Sequence, residues 1–401
     1  MSEEAAEQKR PVYPMARTDA TQPPEEYKEF RARCPVPHVN LPTGSDAYLA
    51  TRHADVRTVL SDPRFSRAAF LEPGAPRMQP VEPHPDNIMS MDPPRLTRVR
   101  RLIAKEFGPR RVVGMRPHIE AVATRLVDAV EESGSPADLV SAFATPLPLQ
   151  IVCELIGVPF EDRGRFQDWS DRFTALTKYT AQEIADADRE LREYLERLID
   201  SKRQVPGADL LSALAGESDP DLRLTESELV MLGVFLLIAG HDTTTTVIAT
   251  SIVTLLRNPE QLRLWRENPG LTGSAVEELL RYNTPGDGSF ARIATEDVEL
   301  SGTRIPAGSA VIAPMSSANR DEEVFKDPDR FDITRDASAH VGFGHGPHFC
   351  IGSALARLEL EVALDTLFTR LPGLRLAVAP QELRWRHFAA LGGLHELPVT
   401  W

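Results

Sequence analysis

The sequence predicts a mainly α fold with small β-sheets, and three observations carry that reading. Apolar residues recur at helical spacing through most of the stretch from His53 to Leu271. Within it, Thr225-Glu226-Ser227-Glu228 reads as a capping box, and no Pro or turn cluster follows before Asn258-Pro259. One helix of roughly 32 residues, about 48 Å long, is expected there. Strand-like alternation is confined to short patches near the two ends of the helical stretch.

The chain has 401 residues, 42% hydrophobic and 26% charged, the make-up of a soluble globular protein, and no stretch has the composition of a flexible linker. A single domain over 1–401 is expected, with 1–20 as a flexible or loosely docked arm. The longest apolar run, 229–240, falls short of the ~20 residues that span a bilayer, and residues 1–10 hold no apolar signal segment. No membrane association or secretion is expected. Cys34, Cys153 and Cys350 make no disulfide framework, which suits a reducing cytoplasm. A net charge of −14 argues against non-specific nucleic-acid binding.

Taken in order, residues 36–51 alternate around Pro42-Thr43-Gly44 and predict a β-hairpin. Pro-rich loops at 72–94 and 134–136 interrupt the helices that follow. The long helix is apolar nearly all round in its first half, so it should cross the core. It then meets Ala239-Gly240-His241-Asp242-Thr243-Thr244-Thr245-Thr246, poor helix material for a core position. Gly240 would remove bulk where a ligand lies against the helix, and a Thr hydroxyl would bond the carbonyl one turn back and distort the ladder. Asp242 beside it can relay protons; equally, the threonines could back-bond harmlessly and Asp242 could form an ordinary ion pair.

Ser274-Ala275-Val276-Glu277 reads as a second capping box, opening a helix that stops near Asn283-Thr284-Pro285. Glu278 and Arg281 share one face of it. Residues 298–305 predict a hairpin turning at Ser301-Gly302, and 311–314 a further strand. A last helix carries Ile351, Leu355, Leu358 and Val362 to about Thr369, closed by Leu371-Pro372-Gly373.

That helix is entered through Phe343-Gly344-His345-Gly346-Pro347-His348-Phe349-Cys350-Ile351-Gly352. A thiol at a helix start, between glycines, is placed as a thiolate metal ligand needs, because backbone N–H groups there favour the deprotonated sulfur. Gly346 and Gly352 would let the loop turn and a flat ligand approach the backbone. A cysteine so placed can also simply fill core, and His345, His348 and Cys350 could be a zinc fragment that lacks a fourth ligand.

The spacing Phe-x-x-Gly-x-x-x-Cys-x-Gly resembles the haem-ligand loop of the cytochrome P450 family. Ala-Gly-x-Asp-Thr-Thr, about a hundred residues earlier, resembles that family's acid–alcohol motif, and Glu278-x-x-Arg281 its Glu-x-x-Arg pair. The resemblance implies a triangular, helix-rich single domain with haem b between the long central helix and the Cys-loop helix. It implies Cys350 as iron ligand with Phe343 beside the sulfur, Asp242 and Thr243 as the proton-delivery pair, and Gly240 and Gly352 against the macrocycle. Arg335 or Arg330 would complete the Glu278/Arg281 network. Arg100, Arg292 and His348 would hold the haem propionates. Related bacterial members commonly carry His where this chain has Leu96, so His348 is expected to take a larger share of that load.

The function so implied is that of a haem-thiolate monooxygenase, a cytoplasmic monomer. It would use two electrons from NAD(P)H, through a ferredoxin reductase and a ferredoxin, to hydroxylate or epoxidise a small apolar polyketide or terpenoid. The basic stretch Arg95, Arg98, Arg100, Arg101, Lys105, Arg110 and Arg111 would steer the ferredoxin. By family position, 70–91 (with Met78 and Met89), Phe235, Ala239, 286–290 and Ala390-Leu391 would line the substrate pocket. A haem enzyme that rearranges, couples or cyclises its substrate without inserting oxygen, and a non-catalytic haem sensor, are the alternatives.

Overall fold

The computed structural model describes residues 10–17, 19, 21–78, 82–174, 178–220, 222–287, 291–386 and 391–401. Helices α1 (Glu26–Arg33) and α2 (His53–Ser61) precede α3 (Arg95–Ile103), α4 (Pro109–Ser133) and α5 (Pro146–Ile156). Then come α6 (Arg163–Thr174), α7 (Ala181–Gln204), α8 (Leu210–Ala215) and α9 (Glu226–Arg257). The chain continues through α10 (Pro259–Glu267), α11 (Thr272–Tyr282), the one-turn α12 (Met315–Ala318) and α13 (Ser353–Arg370).

The long helix forms as expected. Thr225 Oγ1 accepts the Glu228 N–H at 3.1 Å and Glu228 Oε2 accepts the Thr225 N–H at 3.1 Å, closing both halves of the capping box. α9 packs on α5, α7 and α13. By length and composition it could cross a membrane, but 72% of its most apolar window is buried inside the protein. Its Gly-Thr segment does not interrupt it: α9 is helical from Glu226 to Arg257. Thr243 Oγ1 does donate to the Ala239 carbonyl (2.9 Å), and the ladder absorbs that bond without opening.

Strands are short. A five-stranded sheet runs β1 (His38–Asn40), β2 (Asp46–Leu49), β8 (Ala310–Ile312), β5 (Ala291–Ala294), β3 (Phe65–Ser66), antiparallel except at β2–β8. The first predicted hairpin is β1–β2, with His38 opposite Tyr48. The second is β6 (Val298–Leu300) with β7 (Thr303–Ile305). Ser301 and Gly302 turn it at φ 44° and 78°, the left-handed pair a two-residue hairpin requires. β4 (Ala137–Asp138), β10 (Pro398–Thr400) and β9 (Arg375–Leu376) form a third sheet.

One expectation narrows and one needs correction. Of the arm expected to be flexible or loosely docked, residues 10–17 are docked: Val12 bridges to Asn40, Tyr13 and Met15 bury, and Arg17 pairs with Asp287. Burying those side chains against the sheet outweighs the entropy of a free terminus. Residues 1–9 lie outside the described residues. Ser274 is no N-cap. α11 begins at Thr272 after a 3-10 turn, Ser274 Oγ donates to the Leu271 carbonyl (3.0 Å), and Glu277 is drawn away to Arg357 Nε (2.5 Å) and His340 Nε2 (3.0 Å). Two charge-assisted bonds outcompete one to a backbone N–H.

Candidate active site

A cavity lies between α9 and α13. Phe235, Ala239, Gly240, Thr243 and Thr244 line it from α9, and His348, Cys350, Gly352 and Glu359 from the Cys loop and α13. Arg100 enters from α3, and Val152 and Leu155 from α5.

The loop that presents Cys350 is held from within. The Cys350 N–H donates to the Phe343 carbonyl (2.9 Å), and Gly344 and Gly346 turn it at φ 75° and 70°. A Cβ on Gly346 would come within 2.5 Å of the Leu60 carbonyl oxygen, so the close approach of α2 requires this glycine. Phe343 packs under the Arg357 guanidinium, 4.5 Å from ring centre to Cζ. Burial pushes the Cys350 thiol up, while the Gly352 N–H, Arg100 and Arg357 pull the other way. Gly352 thus matters through its N–H; its φ of −84° suits any residue. His345 turns to Arg57 (3.5 Å), and no group of three His, Cys, Asp or Glu among the described residues is placed to hold a metal, so the zinc alternative fails.

Near the cavity the charges are lopsided. Arg292 is 2% exposed, and its Nη1 donates to the Ala291 carbonyl (2.9 Å). Burial and the neighbouring Arg67 push it well below its ordinary value. Arg67 bonds the Met89 and Ala291 carbonyls, and burial pushes it down to about 10. Asp92 is the carboxylate that acts on both. Arg100 Nη2 donates to the Phe349 carbonyl (2.7 Å). Burial first, then Arg292 and Arg67, drive His348 down to about 3, and its Nε2 is committed to the Met91 carbonyl (3.0 Å). A neutral imidazole with that N–H spent donates poorly to a carboxylate. In this structure His348 Nε2 is thus engaged with Met91, and Arg67 is a further buried cation beside Arg292 and His348. Leu96 is core, 1% exposed.

Among the described residues, Arg67, Arg100 and Arg292, beside one soft thiol donor, make a set that haem fits. It would bring two carboxylates for the cations and an iron for the sulfur.

Thr243 lines the cavity, whereas Asp242, about 100° round the helix, does not. Asp242 Oδ1 accepts from Arg386 Nη1 and Nη2 (3.1 Å each), Arg386 also reaches Thr246 Oγ1 (3.0 Å), and Asp242 Oδ2 is buried with no partner among the described residues. Gly240 lines the cavity, but a Cβ there would meet Val152 Cγ2 at 2.6 Å, so its size is demanded by the approach of α5. Below the site, Arg281 Nε and Nη2 hold Glu278 at 2.7 and 2.8 Å, both fully buried. Arg335 Nε joins Glu278 at 3.2 Å; Arg330 is 68% exposed and only nears Asp332.

A family model described as Cytochrome P450 matches residues 163–373, just over half of the chain. The chain belongs to the cytochrome P450 family. It is 48% identical over 377 residues to nocardicin C N-oxygenase of Nocardia uniformis subsp. tsuyamanensis, covering 94% of each chain. It is 44% identical over 376 residues to mycinamicin IV hydroxylase/epoxidase of Micromonospora griseorubida, again 94% of each. Among solved structures, the putative thioether synthase SgvP of griseoviridin tailoring superposes with a TM-score of 0.94 at 43% identity, over 98% of this chain and 100% of that one. This P450 is a haem b monooxygenase, and the non-catalytic sensor alternative falls.

Other expectations shift with the geometry. The basic stretch of the P450 is not one face: Arg95 and Arg98 are tied to Glu228, and Arg100 turns inward. Met89, Phe235 and Ala239 line the cavity, while Phe70 and Met78 pack against the cluster around Val39 and Leu49. Residues 79–81, 288–290 and Ala390 lie outside the described residues. Sequence reasoning missed Arg67, Arg386 and Glu359. None stands in a motif read here, though Glu359, an acid on the apolar stripe of a helix beside Leu355, Leu358 and Val362, was a visible irregularity.

Proposed function

We propose that this P450 hydroxylates or epoxidises a small apolar molecule of the polyketide or terpenoid kind, with Cys350 as the iron ligand. One observation carries the reading: Cys350 and Thr243 line the same cavity, from the loop that enters α13 and from α9. Haem bound there supplies dioxygen activation and oxygen transfer, assisted by thiolate donation. The chain's own residues do the rest. Arg100, Arg292 and Arg67 would hold the two propionates. The Gly352 N–H supports the sulfur. Thr243 Oγ1 lines the cavity wall, and Asp242, on release from Arg386, would take a proton from solvent and pass it to the Thr243 hydroxyl, whose own proton would move on into the cavity. Ile88, Met89, Phe235 and Ile351 give apolar walls that exclude water.

The apolar walls and the mycinamicin-oxidising relative support the substrate class. Electrons would come from a ferredoxin and its reductase, with Arg101, Lys105 and Arg110 still exposed to meet an acidic partner. Three free cysteines and the burial of α9 suit a cytoplasmic protein. The similarity to a thioether synthase favours oxidative coupling as the second reading.

The test has two parts. Reduced protein under carbon monoxide should show the red-shifted Soret band of thiolate ligation, absent in Cys350→Ala; an unshifted wild-type band sinks the assignment. With a substrate found by spectral-shift screening, Thr243→Ala should lower product per dioxygen by about tenfold or more. Labelled dioxygen appearing in the product supports oxygen insertion, and label only in water supports coupling.

A further inference from the structure

Two adjacent acids on α11 serve different partners. Glu278 closes the buried cluster with Arg281 and Arg335, whereas Glu277 reaches across to α13. Glu277 Oε1 accepts from Arg357 Nε at 2.5 Å and its Oε2 from Arg357 Nη2 at 2.9 Å, a two-point grip that fixes the plane of the guanidinium. His340 steadies the same carboxylate. Its Nδ1 accepts the Gly342 N–H (2.9 Å), so its own proton sits on Nε2 and is donated to Glu277 Oε2 (3.0 Å). Burial opposes the charge on Glu277, yet His340 and Arg357 together hold its carboxyl down at about 2. The imidazole is neutral in this arrangement, and the group carries one anion and one cation.

The cation is the member that faces the thiol loop. Arg357 Cζ stands 4.5 Å from the centre of the Phe343 ring, and the His340 ring lies 5.9 Å from that same ring. Phe343 in turn takes the Cys350 N–H on its carbonyl (2.9 Å). Burial disfavours a thiolate at Cys350, and the charges that favour it come from Arg100 and Arg357. Arg100 lines the cavity, where a ligand's own charge would meet it. Arg357 is outside that lining, so its field at the sulfur depends on the protein alone, and Glu277 is the anion set against it.

We propose that the Glu277–Arg357 ion pair sets the charge felt by the Cys350 sulfur and, through it, the reduction potential of the bound iron. The inference rests on the haem-thiolate reading above. Arg357 acts on the sulfur, and Glu277, which acts through Arg357, is a positioning residue. Reduction adds one electron, supplied by the redox partner, to the Cys350-ligated centre. A fixed cation beside the sulfur therefore favours the reduced state, and an anion opposes it. Arg357 and Glu277 are 35% and 27% exposed, so water screens part of both effects.

Potentiometric titration of the haem-loaded protein reads the pair directly. Arg357→Met should lower the ferric/ferrous midpoint by the equivalent of about a tenfold change in the equilibrium, which is about 59 mV for one electron. Glu277→Gln keeps an acceptor for Arg357 and removes the anion, so it should raise the midpoint by the equivalent of about threefold. Arg357→Lys retains the cation and should stay within about twofold of wild type. The C–O stretch of the ferrous carbonyl should follow the same signs, downward for Arg357→Met and upward for Glu277→Gln. A merely structural clamp predicts otherwise: each single variant loses the same contact, so both would move the midpoint in one direction. Shifts of one sign, or shifts below about twofold in both variants, overturn the proposal. Where Arg357→Met fails to hold haem, Glu277→Gln decides alone: an upward shift supports the proposal, and none or a downward one overturns it. Carbonyl spectra separate the two readings. A wild type without the thiolate band removes the haem assignment itself, whereas a normal band with shifts of one sign removes only the role of the ion pair.

Discussion

Arg281 and Arg292 are almost equally buried, at 0% and 2% exposure, and differ in the company they keep. Arg281 spends its donors on Glu278 and on the Asn319 and Pro328 carbonyls, and Glu278 in turn takes the Asp332 N–H and Arg335. That cluster is closed. Arg292 faces Arg67, a like charge, and shares with it one carboxylate, Asp92. Its neighbourhood is open, and the missing anions are those a haem would bring. A buried charge with every donor used stabilises the fold; a buried charge left short of counter-charge is held ready for a ligand.

The largest effect should come from breaking the closed cluster. Arg281→Met leaves Glu278 buried without its main partner and should cost about 3–5 kcal/mol in urea unfolding, with a matching fall in soluble yield. Arg292→Met should do the opposite in haem-free protein, leaving stability unchanged or raised by about 1 kcal/mol, because it relieves repulsion from Arg67. Loaded protein pays instead: loss of a charge-assisted bond of about 1.5–3 kcal/mol should speed haem transfer to apomyoglobin by roughly 10- to 100-fold. If Arg292→Met unfolds the haem-free chain as Arg281→Met does, the contrast between open and closed clusters collapses. The smallest effect separates two arginines five positions apart. Arg335→Ala should cost about 1–2 kcal/mol through Glu278, and Arg330→Ala less than about 0.5 kcal/mol by thermal melting.

Much of the fold was legible because its signals are local. The Thr225/Glu228 capping box, the uninterrupted run to Asn258 and the Ser301-Gly302 turn involve residues a few positions apart, and each appears where expected. The Ser274/Glu277 box failed on equally good local grounds, because Arg357 and His340, 80 and 63 residues away, compete for the same carboxylate. Gly240 and Gly346 were singled out for a ligand, whereas the structure adds a tertiary demand on each: a Cβ would meet Val152 at the first and the end of α2 at the second. The choice between Arg330 and Arg335 was open in the sequence, since both lie within reach of Glu278 along the chain. The path of the backbone turns one outward and the other in.

By itself, the sequence determined the long core helix, the hairpins and a thiol in a glycine loop at a helix entrance, since each depends on backbone preferences over one or two turns. Only the tertiary structure decided that Arg67 joins Arg292, that Asp242 faces Arg386 while Thr243 faces the cavity, and that Glu359 has no partner. The physical reason is that the free energy of a buried charge depends on which groups surround it in space. Here those groups come from segments 144 to 225 residues apart, Asp242 with Arg386 and Arg67 with Arg292, a distance over which no local pattern carries information.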